Sequence, residues 1–286
     1  MIAVTAKRLK RSYAGAVSTL DATFLDHALA VARAAADVAG ERIERYFGRG
    51  VAVEIKPDAT PVTVADREAE DAVRAVLKKA FPDHAILGEE RGREGDGEFL
   101  WLVDPLDGTK SFVRGTPYFS TQIALLHAGE LVLGVSHAPV YGETMWARRG
   151  GGAFLNGRRV RVAATQRVGD AAVSLGNLKS LALAPQGWHA LGALVAAANR
   201  VRGYGDFCHY HLLARGALDA VIESDVNILD IAALAVIVRE AGGVFTDLAG
   251  APLSLATRSV LAAVPMLHAD LLDRFSRQPS AASTSA

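Results

Sequence analysis

The chain has a single cysteine, Cys208, among 286 residues. One thiol excludes an internal disulfide and a cysteine-based zinc site. The chain also has no charge of either sign to spare, with 31 Lys+Arg against 31 Asp+Glu. A neutral balance gives no electrostatic reason to expect a nucleic-acid partner. No apolar run approaches the length of a membrane span. No internal repeat is present. The first residues, "MIAVTAKRLKRSYAGAVST", are basic and lack the apolar stretch of a secretory signal. Residues 1–20 therefore read as a flexible extension, and the small, polar 275–286 as a disordered tail. A cytoplasmic setting fits the cysteine usage.

What is present suffices for real cores. Half of the residues are hydrophobic and 22% are charged, which argues against global disorder. Residues 18–50 predict a helix, with candidate caps at Ser18 to Asp21 and stops at Gly48 and Gly50. Residues 51–56 alternate as a strand, and 57–61 form a turn. A second helix begins near Ala65 or Asp66 and is halted by Pro82. A short strand then ends in Glu89-Glu90, and a glycine-rich loop spans 92–97. Residues 119–160 read as antiparallel strands joined by glycine turns. From 165 onward strands and helices alternate, with helices predicted over 187–201 and 228–243. This pattern predicts an α/β, layered α+β fold in two halves, 21–164 and 165–274, with a cleft between them.

The stretch "FLWLVDPLDGTKSF", residues 99–112, is the least ordinary part of the chain. A buried-looking strand stops at Asp104, and Asp107 and Gly108-Thr109 follow. Buried carboxylates are costly unless paired or metal-bound. Asp66, Glu89, Glu90, Asp104, Asp107 and Asp230 all sit where strands or helices begin or end, without matching basic residues in the same stretches. An all-oxygen donor set favours magnesium, manganese or calcium over zinc. A Gly-Thr step entering a helix offers free amides to a phosphate. A P-loop is excluded, because Asp104 and Thr109 stand where its glycines belong. An aspartyl-nucleophile site, with acids two apart, is excluded by the spacing of three. Taken singly, Asp66 and Asp230 could equally be helix caps.

"WLVDPLDGTKSF", the upstream "GEE" and "VTVAD", and the downstream "LDIAALAVIVREAGG" resemble, in order and spacing, the inositol monophosphatase-like, magnesium-dependent phosphatases. The resemblance covers roughly residues 21 to 270. It implies that Glu89, Asp104, Asp107, Asp230 and the Leu106 carbonyl hold two or three magnesium ions, with manganese a possible substitute. It implies phosphate contacts from Gly108 and Thr109. Asp66, Thr109 and Glu89 would orient and activate an attacking water, with no covalent intermediate. A homodimer acting on a small phosphate ester is also implied.

Lys110 and the continuations "FVRGTPYFSTQIALL" and "RGYGDFCHYHLLARGALDAVIE" look like the subgroup that acts on histidinol phosphate. Asp206 and Glu223 would then face its cationic leaving group; the plain alternatives are a helix cap and an exposed strand end. Inositol 1-phosphate and 3′-phosphoadenosine 5′-phosphate are the competing substrates. A catalytically inactive regulatory relative would have lost a metal acid, and none is missing. Leu229 departs from the tryptophan usual before the last acid, which puts the substrate wall in question. Glu90 reads as a solvated neighbour or a supporting group, and Lys56 as a loop residue with or without a role. His27, His84, His127, His137 and His189 read as surface or packing residues, and Cys208 as a packed thiol.

Overall fold

The computed structural model describes residues 20–57 and 60–276. The expected extension lies outside the described residues, apart from Leu20, as do Ser18 and part of the 57–61 turn. So does most of the expected tail, although its first two residues are helical.

Helix α1 (Ala22–Glu44) is capped by the Asp21 carboxylate, which accepts from the Thr23 amide at 3.1 Å. It ends before Gly48 and buries Ala28, Ala32, Ala35, Ala36 and Ala39. Alanine combines high helix propensity with a side chain short enough for close packing on a sheet. The strand expected over 51–56 is shorter, β1 (Val53–Ile55). It pairs antiparallel with β2 (Pro61–Thr63) in a separate hairpin. Helix α2 (Val64–Ala80) starts one or two residues earlier than expected, on a Thr63 capping box.

Next come β3 (Ala85–Gly88), β4 (Gly92–Glu94), β5 (Phe99–Asp107) and the one-turn helix α3 (Thr109–Val113). The meander that follows is β6 (Ser120–His127), β7 (Glu130–Ala138), β8 (Glu143–Arg148), β9 (Gly152–Leu155) and β10 (Arg158–Val160). These strands form one eight-stranded sheet in the order β10-β9-β8-β7-β6-β5-β3-β4. The glycine-rich 92–97 segment is thus partly strand, because its residues add an edge to β3.

A five-stranded sheet, β12-β11-β13-β15-β14, follows. It is built from β11 (Ala172–Leu175), β12 (Arg200–Arg202), β13 (Ala220–Ser224), β14 (Val244–Thr246) and β15 (Ser259–Ala263). Helices α4 (Lys179–Leu183), α5 (Pro185–Ala197), α6 (Asp206–Ala214), α7 (Ile228–Glu240) and α8 (Pro265–Ser276) connect or cover it. The helix expected over 187–201 stops at Ala197, because Arg200–Arg202 pair in parallel with β11.

The layers run α1 and α2, the large sheet, α6 and α7, the small sheet, then α5 and α8. One core lies under α1 and α2, and a second surrounds α7. Helix α7 is apolar around most of its circumference because sheets cover it on two sides. It approaches β7 so closely that a Cβ on Gly134 would sit 2.3 Å from the Ala233 carbonyl oxygen. Gly134→Ala is expected to cost about 1–3 kcal/mol through overpacking, measured by urea denaturation. An unchanged midpoint would show that the layers part freely.

Candidate active site

Strand β5 enters the core as Leu100 to Val103 and carries its acids where its pairing breaks. Its register with β6 shifts between Asp104 and Asp107. That irregularity lets two acids three residues apart reach one cleft. The strand ends on Gly108, at φ 88°, where a Cβ would lie 2.5 Å from the Tyr118 carbonyl oxygen. Only glycine fits this turn. It opens α3, whose first amides have no carbonyl one turn back to bond.

The carboxylate oxygens of Asp104, Asp107 and Asp230 come within 4.8 Å of one another. They line a cleft of about 220 Å³ with Glu89, Leu106, Gly108, Thr109 and Asp206. A larger cavity of about 390 Å³, bounded by Arg149, Arg239 and Glu240, holds none of these acids. Burial, then the charges of Glu89, Asp107 and Asp230, pushes the Asp104 carboxyl well above its ordinary range. Burial, then Asp206, Asp230, Glu223 and Glu89, does the same to Asp107. Asp230 is pushed up to about 7, chiefly by burial. The neighbouring charges that raise these groups are all negative. Buried carboxylates crowded without a cation fit a divalent ion that prefers hard oxygen ligands.

Two acids that the sequence left divided between helix cap and site each cap a helix and also turn an oxygen toward the cleft's residues. Asp66 Oδ2 accepts from the Thr63 amide at 2.7 Å and its hydroxyl at 2.6 Å, closing the α2 cap. Its Oδ1 accepts from Thr109 Oγ1 at 3.0 Å. That hydroxyl also lies 3.0 Å from the Leu106 carbonyl oxygen. Burial raises the Asp66 carboxyl, against the pull of these hydrogen bonds. Asp230 Oδ2 likewise accepts from the Asn227 amide at 3.0 Å and caps α7.

Glu89 reaches the cleft but not the tight trio. Lys56 Nζ sits 2.9 Å from Glu89 Oε1 and 2.5 Å from Glu90 Oε1. Burial disfavours the lysine charge, but the two glutamates outweigh it and raise its pKa. Glu90 is not solvated; its side chain is 6% exposed and acts as a supporting group for Lys56.

Sequence reasoning missed Glu70 and Arg74, one and two helical turns beyond Asp66 on α2. The Glu70 carboxylate accepts from the Glu90 and Arg91 amides at 2.6 and 3.1 Å, and Arg74 holds it at 2.7 Å. Together they pin the turn that carries Glu89. The i, i+4, i+8 spacing from Asp66 was the available signal.

Asp206 and Glu223 stand at the inner end of the cleft, bounding a recess of about 20 Å³ beside Asp107 and Asp230. The cap reading of Asp206 is incorrect. Gly205 is the N-cap of α6, and no side chain caps it. Asp206 instead takes φ 45°, a left-handed conformation that aspartate adopts at some cost. Burial, then Glu223, raises its carboxyl. The exposed-strand-end reading of Glu223 is incorrect too, since it is buried in β13. Burial pushes its carboxyl up, but the adjacent His209 ring, the Tyr210 hydroxyl and the Asn177 amide outweigh this and lower it.

Leu229 is buried, packed in the core around α7. His84 stacks on Phe81 and Phe99, and His127 on Phe99. Cys208 is a buried thiol. Among the described residues no helix is long and apolar enough to cross a membrane.

This layered fold, with its acid-lined cleft beside a glycine turn, defines a phosphatase. Residues 25–280 match the inositol monophosphatase family, and the chain belongs to it. It is 40% identical to the histidinol-phosphatase of Mycobacterium tuberculosis, over 86% of this chain and 96% of that one. It is 37% identical to an inositol-1-monophosphatase of Mesorhizobium japonicum, over 86% and 95%. The crystal structure of the extragenic suppressor protein suhB from Bartonella henselae superposes with a TM-score of 0.80 at 32% identity, covering 88% of this chain and 99% of that one.

Proposed function

We propose that this enzyme hydrolyses L-histidinol phosphate to L-histidinol and inorganic phosphate. The observation that carries the reading is the acid pair Asp206 and Glu223 beside the acid trio. Neither forms an ion pair with a lysine or arginine among the described residues. A neutral polyol gives no reason to bury two carboxylates there. An amino alcohol with an ammonium and an imidazole does, because charge-assisted hydrogen bonds are the stronger kind. The name of the M. tuberculosis relative supports the same reading.

Asp104, Asp107, Asp230, Glu89 and the Leu106 carbonyl would hold magnesium, two or three ions, with manganese able to replace it. When bound, these ions supply an ionised water and neutralise charge on the phosphate and the departing alkoxide. Gly108 and Thr109 amides would take the phosphate oxygens at the start of α3. Thr109 Oγ1, held by Asp66, would accept a hydrogen bond from the attacking water, which orients it. Glu89 would assist in taking the water's proton. The P–O bond to the alcohol breaks as the water oxygen attaches in line. The proton balance closes on the alcohol. We read the enzyme as a cytoplasmic homodimer.

Asp206→Ala and Glu223→Ala test the substrate. Each is expected to cost about 1–3 kcal/mol in kcat/KM for histidinol phosphate. The loss for glycerol 2-phosphate, whose alcohol is neutral, should be far smaller. Equal losses on both substrates would remove the argument for a cationic leaving group. Wild-type hydrolysis of inositol 1-phosphate at the same efficiency as histidinol phosphate would favour the reading that the Mesorhizobium relative's name supports.

A further inference from the structure

Glu223 does not hang freely in its recess. Tyr210 donates its hydroxyl to Glu223 Oε2 at 2.8 Å. The Asn177 amide donates to Oε1 at 3.2 Å. A Cβ on Gly176 would fall 2.3 Å from that same oxygen, so the backbone wall lies against the carboxylate. His209, itself fully buried, brings Nε2 to 3.2 Å from Oε2. This contact is close but not in line, and Nε2 has no other hydrogen-bond partner.

The other side of the ring meets a serine. Ser174 Oγ accepts from the Tyr204 amide at 3.2 Å and lies 3.3 Å from His209 Nδ1. The ring thus spans from Ser174 to Glu223, with Nε2 turned toward the carboxylate. The Tyr210 hydroxyl, the Asn177 amide and the His209 ring therefore surround one carboxylate, with no lysine or arginine paired to it among the described residues.

Resting on the cationic-substrate reading above, we infer that Tyr210 and His209 are positioning residues for substrate choice, holding the Glu223 carboxylate fixed and charged for the leaving group's nitrogen. They act through Glu223 and touch no reacting atom. A carboxylate with fewer donors would turn in its recess and pay an ordering cost when the cation arrives. The adjoining Asp206, raised by its burial and by Glu223, depends on the same fixed neighbour.

The test uses the full-length, magnesium-loaded enzyme. Tyr210→Phe keeps the buried ring and removes one donor; His209→Gln removes the ring's contact. Each is measured with histidinol phosphate and with glycerol 2-phosphate, alone and in a Glu223→Gln background. The ratio of kcat/KM for histidinol phosphate to that for glycerol 2-phosphate is expected to fall about tenfold in Tyr210→Phe, carried by KM. Calorimetric affinity for free histidinol is expected to weaken in parallel. In the Glu223→Gln background the further loss is expected to vanish, since both changes act through one group. Equal losses on the two substrates, or full additivity with Glu223→Gln, would overturn the inference and leave the substrate reading intact. A wild-type enzyme with no preference for histidinol phosphate would overturn the substrate reading itself, and the inference with it.

Discussion

Asp107→Asn is expected to fold and to lose about a thousandfold in kcat at saturating magnesium, about 4 kcal/mol of transition-state stabilisation. Asp107 sits at the end of β5 with its carboxylate in the buried trio. The amide keeps the size and one oxygen but removes the charge a hard cation requires. The same change is expected to help the metal-free fold. Asp107 is buried, and the neighbouring charges that raise its carboxyl, from Asp206, Asp230, Glu223 and Glu89, are all negative. Removing one charge from that crowd relieves repulsion and desolvation together. Thermal melts in chelator at pH 8 are expected to show a Tm rise of about 3 °C. Turnover within a few-fold of wild type would show that Asp107 is not a core ligand. A metal-free Tm well below wild type would show that its carboxylate supports the fold.

Exhaustive chelation is expected to abolish turnover, with magnesium restoring it and calcium supporting about a tenth or less, being larger and looser in geometry. Metal removal also sets a pH dependence of stability. Asp104 and Asp107 lie well above the ordinary aspartate range, and Asp230 at about 7. Folded pKa values above the unfolded ones mean that the native chain binds more protons. Their contribution is fully present below the unfolded aspartate pKa and is lost as pH rises through the folded values. From about pH 4 to 7, therefore, these three acids make the metal-free fold progressively less stable. Buried His211 and His137 have lowered pKa values and act in the opposite direction, losing stability as pH falls below the ordinary histidine range. The difference in Tm with and without magnesium cancels the histidines. That difference is expected to grow between pH 5.5 and pH 8, because the ligands must be deprotonated to bind. A magnesium shift independent of pH would argue that the ion binds elsewhere, and full turnover after chelation would end the metal reading.

Strand β5 shows how far the sequence could be read. Its apolar run, Phe99 to Val103, and the two acids after it were visible as a buried strand that ends in chemistry. Buried carboxylates have few explanations, so composition and spacing alone narrowed the donor set to hard cations. The helix expected from 228 begins there, and the one expected near Ala65 or Asp66 begins within two residues of it, because helix starts are set locally. The assignment of Asp66 and Asp230 to cap or site was not legible, because each carboxylate has two oxygens and only the fold shows where the second one faces.

Errors gathered where a neighbour in space decides. Arg200 and Val201 carried the helical pattern onward, yet pairing with β11 made them strand. Glu90 was left between a solvated charge and a supporting group until Lys56, more than thirty residues earlier, was found against it. Glu70 and Arg74 passed unnoticed on their helix face, and only the arrival of the Glu90 and Arg91 amides gave that pair a task.

By itself, then, the sequence determined the local chemistry: the acids and their spacing, the glycine turn and the family pattern that joins them. These depend on residue type and short spacing, which the chain carries explicitly. The tertiary structure alone decided which acids share a cleft, that Asp206 and Glu223 are buried beside the trio, and that Tyr210 and His209 lie against Glu223. Those placements depend on two sheets closing over α7. No interval along the chain encodes the distance between side chains that only packing brings together.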